Sequence, residues 1–462
     1  MFSRRDLLKI TIPLIIQQVL SVLIGMVDSM MVSSVSDEAV SGVSLVGSLD
    51  QLLIIAFSSL VTGGAVVVSQ ALGRGDRDMV RSSAKQLIYV ATSVALVISV
   101  TVIIFRVPLL DLLFGEAEDA VMYHALNYFF FMAMSFPFLA AESAGAALFR
   151  SMGNSSISMA VSIGMNLLNV AGNALLIYVF DLEAAGAAIS TLFSRIVGAA
   201  VMLILLHNKN NAVYVEQLFH YRPDFGIIRQ ILRIGIPSGI ENSMFQFGKL
   251  MTQSLISSMG TVAIAANSVA LNLANFQYMP GGAIGLATVT VVGRCVGAGE
   301  REQAKKYSRK LLLTTYLCLW LVDILTLFFS KNVIALYQLS EESAELANTL
   351  LLLHAGVSAL IWPLAFTLPH SFRAASDVKF PLVISMISMW TFRVALGYIL
   401  SLESVKILGF TIFGYYIGFT IPGLGLGITG VWIAMFIDWV FRTILYTARY
   451  LRGTWLTKYK HT

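Results

Sequence analysis

The chain has 462 residues, of which 57% are hydrophobic and only 12% charged. Soluble globular chains carry roughly a quarter charged residues, so a soluble enzyme or binding module is excluded and a polytopic helical membrane protein is expected. The net charge of +5 is no nucleic-acid signature, because Lys and Arg fall in short loops between apolar runs, where they report membrane orientation.

Ile10 to Val35 is a predominantly apolar run with no charge except Asp28. At 1.5 Å rise per residue it extends about 39 Å, enough to cross a bilayer with some tilt. It is too long for a signal-peptide core, and no small-residue cleavage site follows. A carboxylate in such a helix costs roughly 3 kcal/mol or more on insertion scales, so Asp28 must face protein or water and have partners. Further runs near residues 42–72, 87–105, 121–147, 157–180, 185–206, 232–259, 264–293, 311–329, 346–372, 381–401 and 425–448 bring the count to twelve spans. Basic loops on one side include Arg74, Arg77, Arg81, Lys85, Arg301, Lys305, Lys306, Lys458 and Lys460, whereas the other side offers only Arg106, Lys331 and Lys406 among acids such as Asp37, Glu38, Glu116 and Glu341. Positive loops stay inside, so both termini are expected in the cytoplasm and the protein in the cell's inner (plasma) membrane.

The seventh run reopens the pattern of the first. A shift of 224 residues, without a gap, sets Lys9 on Arg233, Pro13 on Pro237, Ser33 on Ser257, Gly73 on Gly297 and Gly75 on Gly299, and the charges of the following loop repeat as well. The fold expected is therefore all-α integral membrane, with twelve transmembrane helices in two six-helix bundles related by a pseudo-twofold along the membrane normal. The division is residues 1–206 for the first bundle, a polar linker at 207–229, and 230–462 for the second. Residues 402–424, apolar and rich in Gly, break the symmetry and suit a short interfacial or re-entrant piece.

Pro13 and Asp28, the loop Gly73-Arg74-Gly75-Asp76, its echo Gly297-Ala298-Gly299-Glu300, and Arg373-Ala374-Ala375-Ser376-Asp377 before Pro381 together resemble the multidrug and toxic compound extrusion (MATE) family over nearly the whole chain. The resemblance implies secondary-active efflux of organic, often cationic, compounds by antiport with Na+ or H+, no bound cofactor, small amphipathic drugs as partners, no nucleic acid, and a monomer in the bilayer. It also implies a cation site at Asp28, Asn169, Asn173 and Thr191, with Asp28, Asn169 and Asn173 as ligands if the ion is Na+. Asn173 stands where the family often has a second carboxylate, which weakens a Na+ site and favours a proton on Asp28. Asn169 and Asn173, four apart, share one helix face, and amide and hydroxyl oxygens beside a carboxylate can replace water around Na+. Interhelical hydrogen bonding is the competing use of those amides.

In the second half some branches of the family carry a Glu two turns after the proline, where this chain has Phe245, while Glu241 lies one turn after Pro237. Glu241, Phe245 and Lys249 still line one helix face, and Glu241 is the repeat partner of Gln17. Gln17, Glu241, Phe245, Gln246, Lys249, Tyr278 and Met279 are the expected substrate contacts. Internal pairing of Glu241 is the alternative. No acid occurs between Leu346 and Phe372, so a second cation site there is not expected. Asp50, Glu142, Arg195, Asp323, Arg393, Asp438 and Arg442 are further charges within or near spans, and Asp438 and Arg442, four apart, are expected to pair. Other readings are a flippase for lipid-linked precursors, which calls for a more basic cavity, and an integral-membrane enzyme. The latter lacks any clustered His and carboxylates, activated nucleophile or Walker loop.

Overall fold

The structure is a computed structural model; it describes residues 2–115, 117–216, 222–412 and 415–457, with side chains 406–420 left aside. Of the charges read for sidedness, Glu116, Lys458 and Lys460 lie outside these residues, as does the Lys406 side chain.

Twelve long helices occupy the twelve expected runs: α1 (Arg4–Ser33), α2 (Asp37–Arg74), α3 (Arg77–Phe114), α4 (Asp119–Ser151), α5 (Ser155–Val179), α6 (Glu183–Leu206), α7 (Phe225–Ser257), α8 (Thr261–Gly297), α9 (Arg301–Ala335), α10 (Glu341–Ala374), α11 (Lys379–Ser401) and α12 (Gly427–Arg452). All but α7 contain an 18-residue apolar window long enough to span a bilayer. The 33 residues of α7 are long enough, but Arg229, Arg233, Glu241 and Lys249 interrupt its apolar windows. Helix starts follow local chemistry. Ser3 and Asp6 form a reciprocal capping box at α1, Ser36 and Asp76 cap α2 and α3, and the turn after α2 closes on Gly75 at φ 75°. Several helices run past the apolar limits at their basic ends, because the charged loop sequences are good helix formers once outside the bilayer.

Residues 402–424 hold the one departure from helix among the described elements. They contain an antiparallel hairpin, β1 (Ser404–Ile412) with β2 (Tyr415–Pro422), where the sequence suits a short interfacial or re-entrant piece of unspecified structure. The register jumps between Ile407 and Gly409, leaving Leu408 as an extra residue on β1. Gly409 and Gly418 disfavour helix here, while β-branched and aromatic residues fill most other positions, a composition that fits a pleated surface.

Packing divides the chain into two compact units, residues 1–240 with 286–305, and residues 241–285 with 306–462. The basic ends of α7 and α8 thus pack with the first unit. The described part of the linker does so too: Val213 and Val215 are buried, the Val213 amide donates to Met152 Sδ at 3.2 Å, and Arg81 lies 4.5 Å over the Tyr214 ring. Lys209 meets Glu216 at 2.7 Å, and that hydrogen bond raises the Lys209 pKa and lowers that of Glu216 from their ordinary values.

Within the first unit α2 and α8 touch backbone to backbone at Gly73 and Gly297, the repeat-related pair. A Cβ at Gly73 would overlap the Arg294 carbonyl, and one at Gly297 would overlap the Gln70 carbonyl. Small residues are what allow helices to approach this closely in a membrane. Gly73→Val and Gly297→Val are each expected to lower stability by about 1–3 kcal/mol or more through overpacking, read as a drop in Tm of the purified protein. Gly47→Val, where nothing lies within 4 Å of the added carbon, should leave Tm nearly unchanged.

Candidate functional site

In the first unit α1 carries Asp28 to a half-buried position against α5. Asn173 Nδ2 donates to Asp28 Oδ1, across 145 residues of sequence. One turn earlier on the same face of α5, Asn169 Nδ2 donates to Thr191 Oγ1 of α6 at 3.0 Å and reaches Ser190 Oγ at 3.5 Å. Ser190 in turn donates to the Asn169 carbonyl at 2.7 Å. The four residues expected at this site therefore occur as two adjacent hydrogen-bonded pairs on α1, α5 and α6. Ser190 joins them; its neighbour Thr191 was the only sign of it in the sequence.

Asn173 is fully buried, and its Oδ1 has no hydrogen-bond partner. An amide that gives its N–H to a carboxylate and leaves its oxygen free supplies an acceptor where a cation would sit, and Asp28 supplies the charge. The donor set fits a proton or a small hard cation. The backbone changes to a π-helical turn at Ala174–Val179, directly after Asn173, a deviation often found at functional positions.

Arg195 supplies the nearby positive charge. Its Nη1 donates to Ser135 Oγ at 2.6 Å, and its Nη2 lies 3.6 Å from Asp50 Oδ2. Gln17 lies elsewhere, in a cavity of about 140 Å³ whose polar lining includes Ser58, Thr62, Glu142, Arg150 and Thr290. Ser158 Oγ donates to Gln17 Oε1 at 3.4 Å.

The second unit holds a larger charged network. Arg373 Nη2 donates to Glu241 Oε2 at 2.8 Å, and Ser385 Oγ donates to Glu241 Oε1 at 2.8 Å. Glu241 is therefore engaged internally, with Arg373 as partner and not Lys249. Asp438 and Arg442 pair at 2.7 Å, as their spacing predicts, and Arg393 Nη1 lies 3.8 Å from the other Asp438 oxygen. Phe245 is the hub: Lys249, Arg393 and Arg442 lie 5.3, 5.3 and 5.4 Å from its ring centroid. Phe245 meets Phe366 at 6.0 Å, Phe366 stacks on Trp362 at 5.2 Å, and Trp362 stacks on Tyr278 at 5.5 Å. Tyr278 also donates to Asn275 Oδ1. Gln246 is half-buried, and Met279 is buried at 8% exposure, placed for packing. Trp362, Phe366 and Arg393 as members of the Phe245 cluster were not legible beforehand, because helix-to-helix neighbours carry no local spacing signal.

The sequence model of the MatE family matches this chain twice, at residues 13–175 and 237–399, so both the starts and the ends of the two matches lie 224 residues apart. The uncharacterized transporter YisQ of Bacillus subtilis is 29% identical over 98% of this chain and 95% of its own. The probable multidrug resistance protein NorM of Thermotoga maritima is 25% identical over 98% of this chain and 93% of its own. A solved outward-facing multidrug resistance MATE family transporter of the MOP superfamily superposes with a TM-score of 0.85 at 19% identity, covering 98% and 96% of the two chains, which shows the shared fold.

Removing one member of a buried ion pair leaves the other charge uncompensated, at roughly 3–5 kcal/mol. Glu241→Ala is expected to lower thermal stability on that scale, and the double variant Glu241→Leu with Arg373→Met to recover most of it. A double-mutant cycle by thermal melting reads the coupling.

Proposed function

The chain belongs to the MatE family of membrane transporters, and on that premise we propose that it is a secondary-active exporter that moves organic compounds outward against the inward flow of H+ or Na+ bound at Asp28. The family is one of transporters, not enzymes. The observation that carries the reading is the Asp28 carboxylate held by Asn173, whose buried amide oxygen is left without a partner. A carboxylate stabilised by one donor, with acceptor oxygens to spare, can be neutralised by a cation and released when the cation leaves. Loading Asp28 removes a charge from an apolar setting, so the two states favour different helix arrangements, which is what coupling requires. Asn169 and Thr191 add an amide and a hydroxyl beside it. The membrane is placed as the cell's inner membrane with both termini cytoplasmic, following the basic loops, and the transporter acts as a monomer.

Coupling rests on Asp28 in this reading, so Asp28→Asn in liposomes should abolish gradient-driven efflux while the protein still inserts and binds substrate. Undiminished coupled transport by the variant would reject the assignment. The same assay run with a Na+ gradient and with a pH gradient identifies the ion. Asn173→Asp restores a second carboxylate and is expected to increase the response to the Na+ gradient, because a paired-carboxylate site holds Na+ more strongly. Thr191→Val, which removes one hydroxyl ligand, should weaken ion dependence without eliminating it.

A further inference from the structure

We propose that the second unit binds the anionic group of an aromatic acid at Lys249 and Arg393, over the ring of Phe245, so that the compound exported carries a negative charge. This deepens the efflux reading, on which it rests only for calling the ligand a substrate.

The charge balance comes first. The network holds five cations, Lys249, Arg373, Arg393, Arg442 and Arg449, and three acids. Arg449 bonds Asp377 at 2.6 Å, Arg373 bonds Glu241 at 2.8 Å and Arg442 bonds Asp438 at 2.7 Å. Each acid is thereby bonded to one cation, and five cations against three acids leave two positive charges in surplus, with Arg393 only sharing Asp438 through its second oxygen at 3.8 Å and Lys249 in no ion pair. Arg393 is 94% buried by its 6% exposure, yet its Nε and Nη1 donate to nothing, and its single ionic neighbour is the Asp438 carboxylate already bonded by Arg442 and Ser388. Lys249 is exposed and makes no hydrogen bond among the described residues; its ammonium lies 5.3 Å from the centroid of the Phe245 ring. The other membrane acid of this unit, Asp323, accepts from Ser358 and pairs with none of these cations. Surplus positive charge within a membrane unit is costly, and an anion supplied from outside is the partner that balances it.

The repeat register gives an independent argument. The 224-residue offset puts Arg393 at the position of Asn169 and Thr252 at the position of Asp28. Thr252 spends its hydroxyl on the Gly248 carbonyl at 2.8 Å. At these two positions the first unit has a carboxylate and an amide, and the second a hydroxyl and a guanidinium. Its site has the opposite sign.

The apolar part of the ligand is indicated by the rings beside the cations. Phe245, Phe366, Trp362 and Tyr278 form a continuous aromatic series, with Phe245 and Tyr278 half-buried. Flat rings stack on such a surface, and a carboxylate attached to one would reach the Lys249 ammonium and Arg393 guanidinium.

The test is equilibrium binding to the full-length protein in detergent, with no ion gradient, read by anisotropy of two dyes of similar shape, anionic fluorescein and cationic rhodamine 6G. Fluorescein is expected to bind more tightly. Lys249→Gln should weaken fluorescein by about tenfold, the loss of one charge-assisted hydrogen bond, and Lys249→Arg should retain it. Tighter binding of rhodamine 6G, or a fluorescein affinity unmoved by Lys249→Gln, would overturn the proposal. The wild-type dye comparison decides the sign of the site even if a variant fails to fold. Because no gradient is involved, failure here leaves coupling at Asp28 standing, and failure of coupling leaves the binding result intact.

Discussion

The hydrogen bond from Asn173 to Asp28 is the contact on which the coupling proposed for the first unit depends. An apolar helix can carry a carboxylate only if something offsets its desolvation, and one charge-assisted hydrogen bond offsets about 1.5–3 kcal/mol. That is too little to fix the charged form permanently and enough to define where the carboxyl group points. Asn173 can donate because the helix delivers its amide buried and oriented at the point where the backbone widens into a π-turn. Its second polar atom, left over, gives the site capacity for a further ligand.

Segment positions were legible because bilayer thickness imposes length and apolarity on every span, and each helix covers most of its expected run, with α3 (Arg77–Phe114) and α9 (Arg301–Ala335) extending well beyond theirs. Pairing was legible only where both partners lie on one helix. Asp438 and Arg442, four apart, could be read from spacing, whereas Arg195 with Asp50 and Arg373 with Glu241 join residues more than a hundred positions apart. For Glu241 the sequence left the choice between a cavity-facing acid and an internal pair, and the guanidinium of Arg373 occupies it. The hairpin at Ser404–Pro422 was missed for another reason: short apolar stretches broken by glycine have no period long enough to separate strand from irregular chain. The backbone contact at Gly73 and Gly297 lies between these cases. The repeat marked both glycines as equivalent, but only the structure shows that each meets the partner helix's carbonyl.

Duplication explains how one chain comes to hold polar residues of different charge at repeat-related positions. Both halves inherit the same helices, the same proline near the start and the same glycine-rich loops, since those residues set geometry. The charges are free to diverge, because a buried charge needs only a local partner. In the first half the offset positions became Asp28 and Asn169; in the second they became Thr252 and Arg393. Gln17 and Glu241 diverged as well, and the acid gained there is taken up by Arg373, so it does not reverse the excess of positive charge around Phe245.

Opposite polarity also limits how the two sites can influence each other. A carrier that exchanges two cations at one carboxylate couples them by direct competition, each displacing the other from the same oxygens. In the two proposed sites, a cation at Asp28 and an anion at Lys249 and Arg393 would share no ligands, so neither would exclude the other by occupancy. Linkage between them has to run through helix conformation, with each ligand favouring one arrangement by its differential affinity. The backbone has places for such a change next to both sites: the π-turn that follows Asn173 and the π-turn Met389–Ala395 that carries Arg393. A π-turn holds one residue more than a regular turn, and shifting that residue along the helix rotates the side chains beyond it. One π-turn begins directly after Asn173 and the other carries Arg393, and both residues have a buried polar atom without a hydrogen-bond partner.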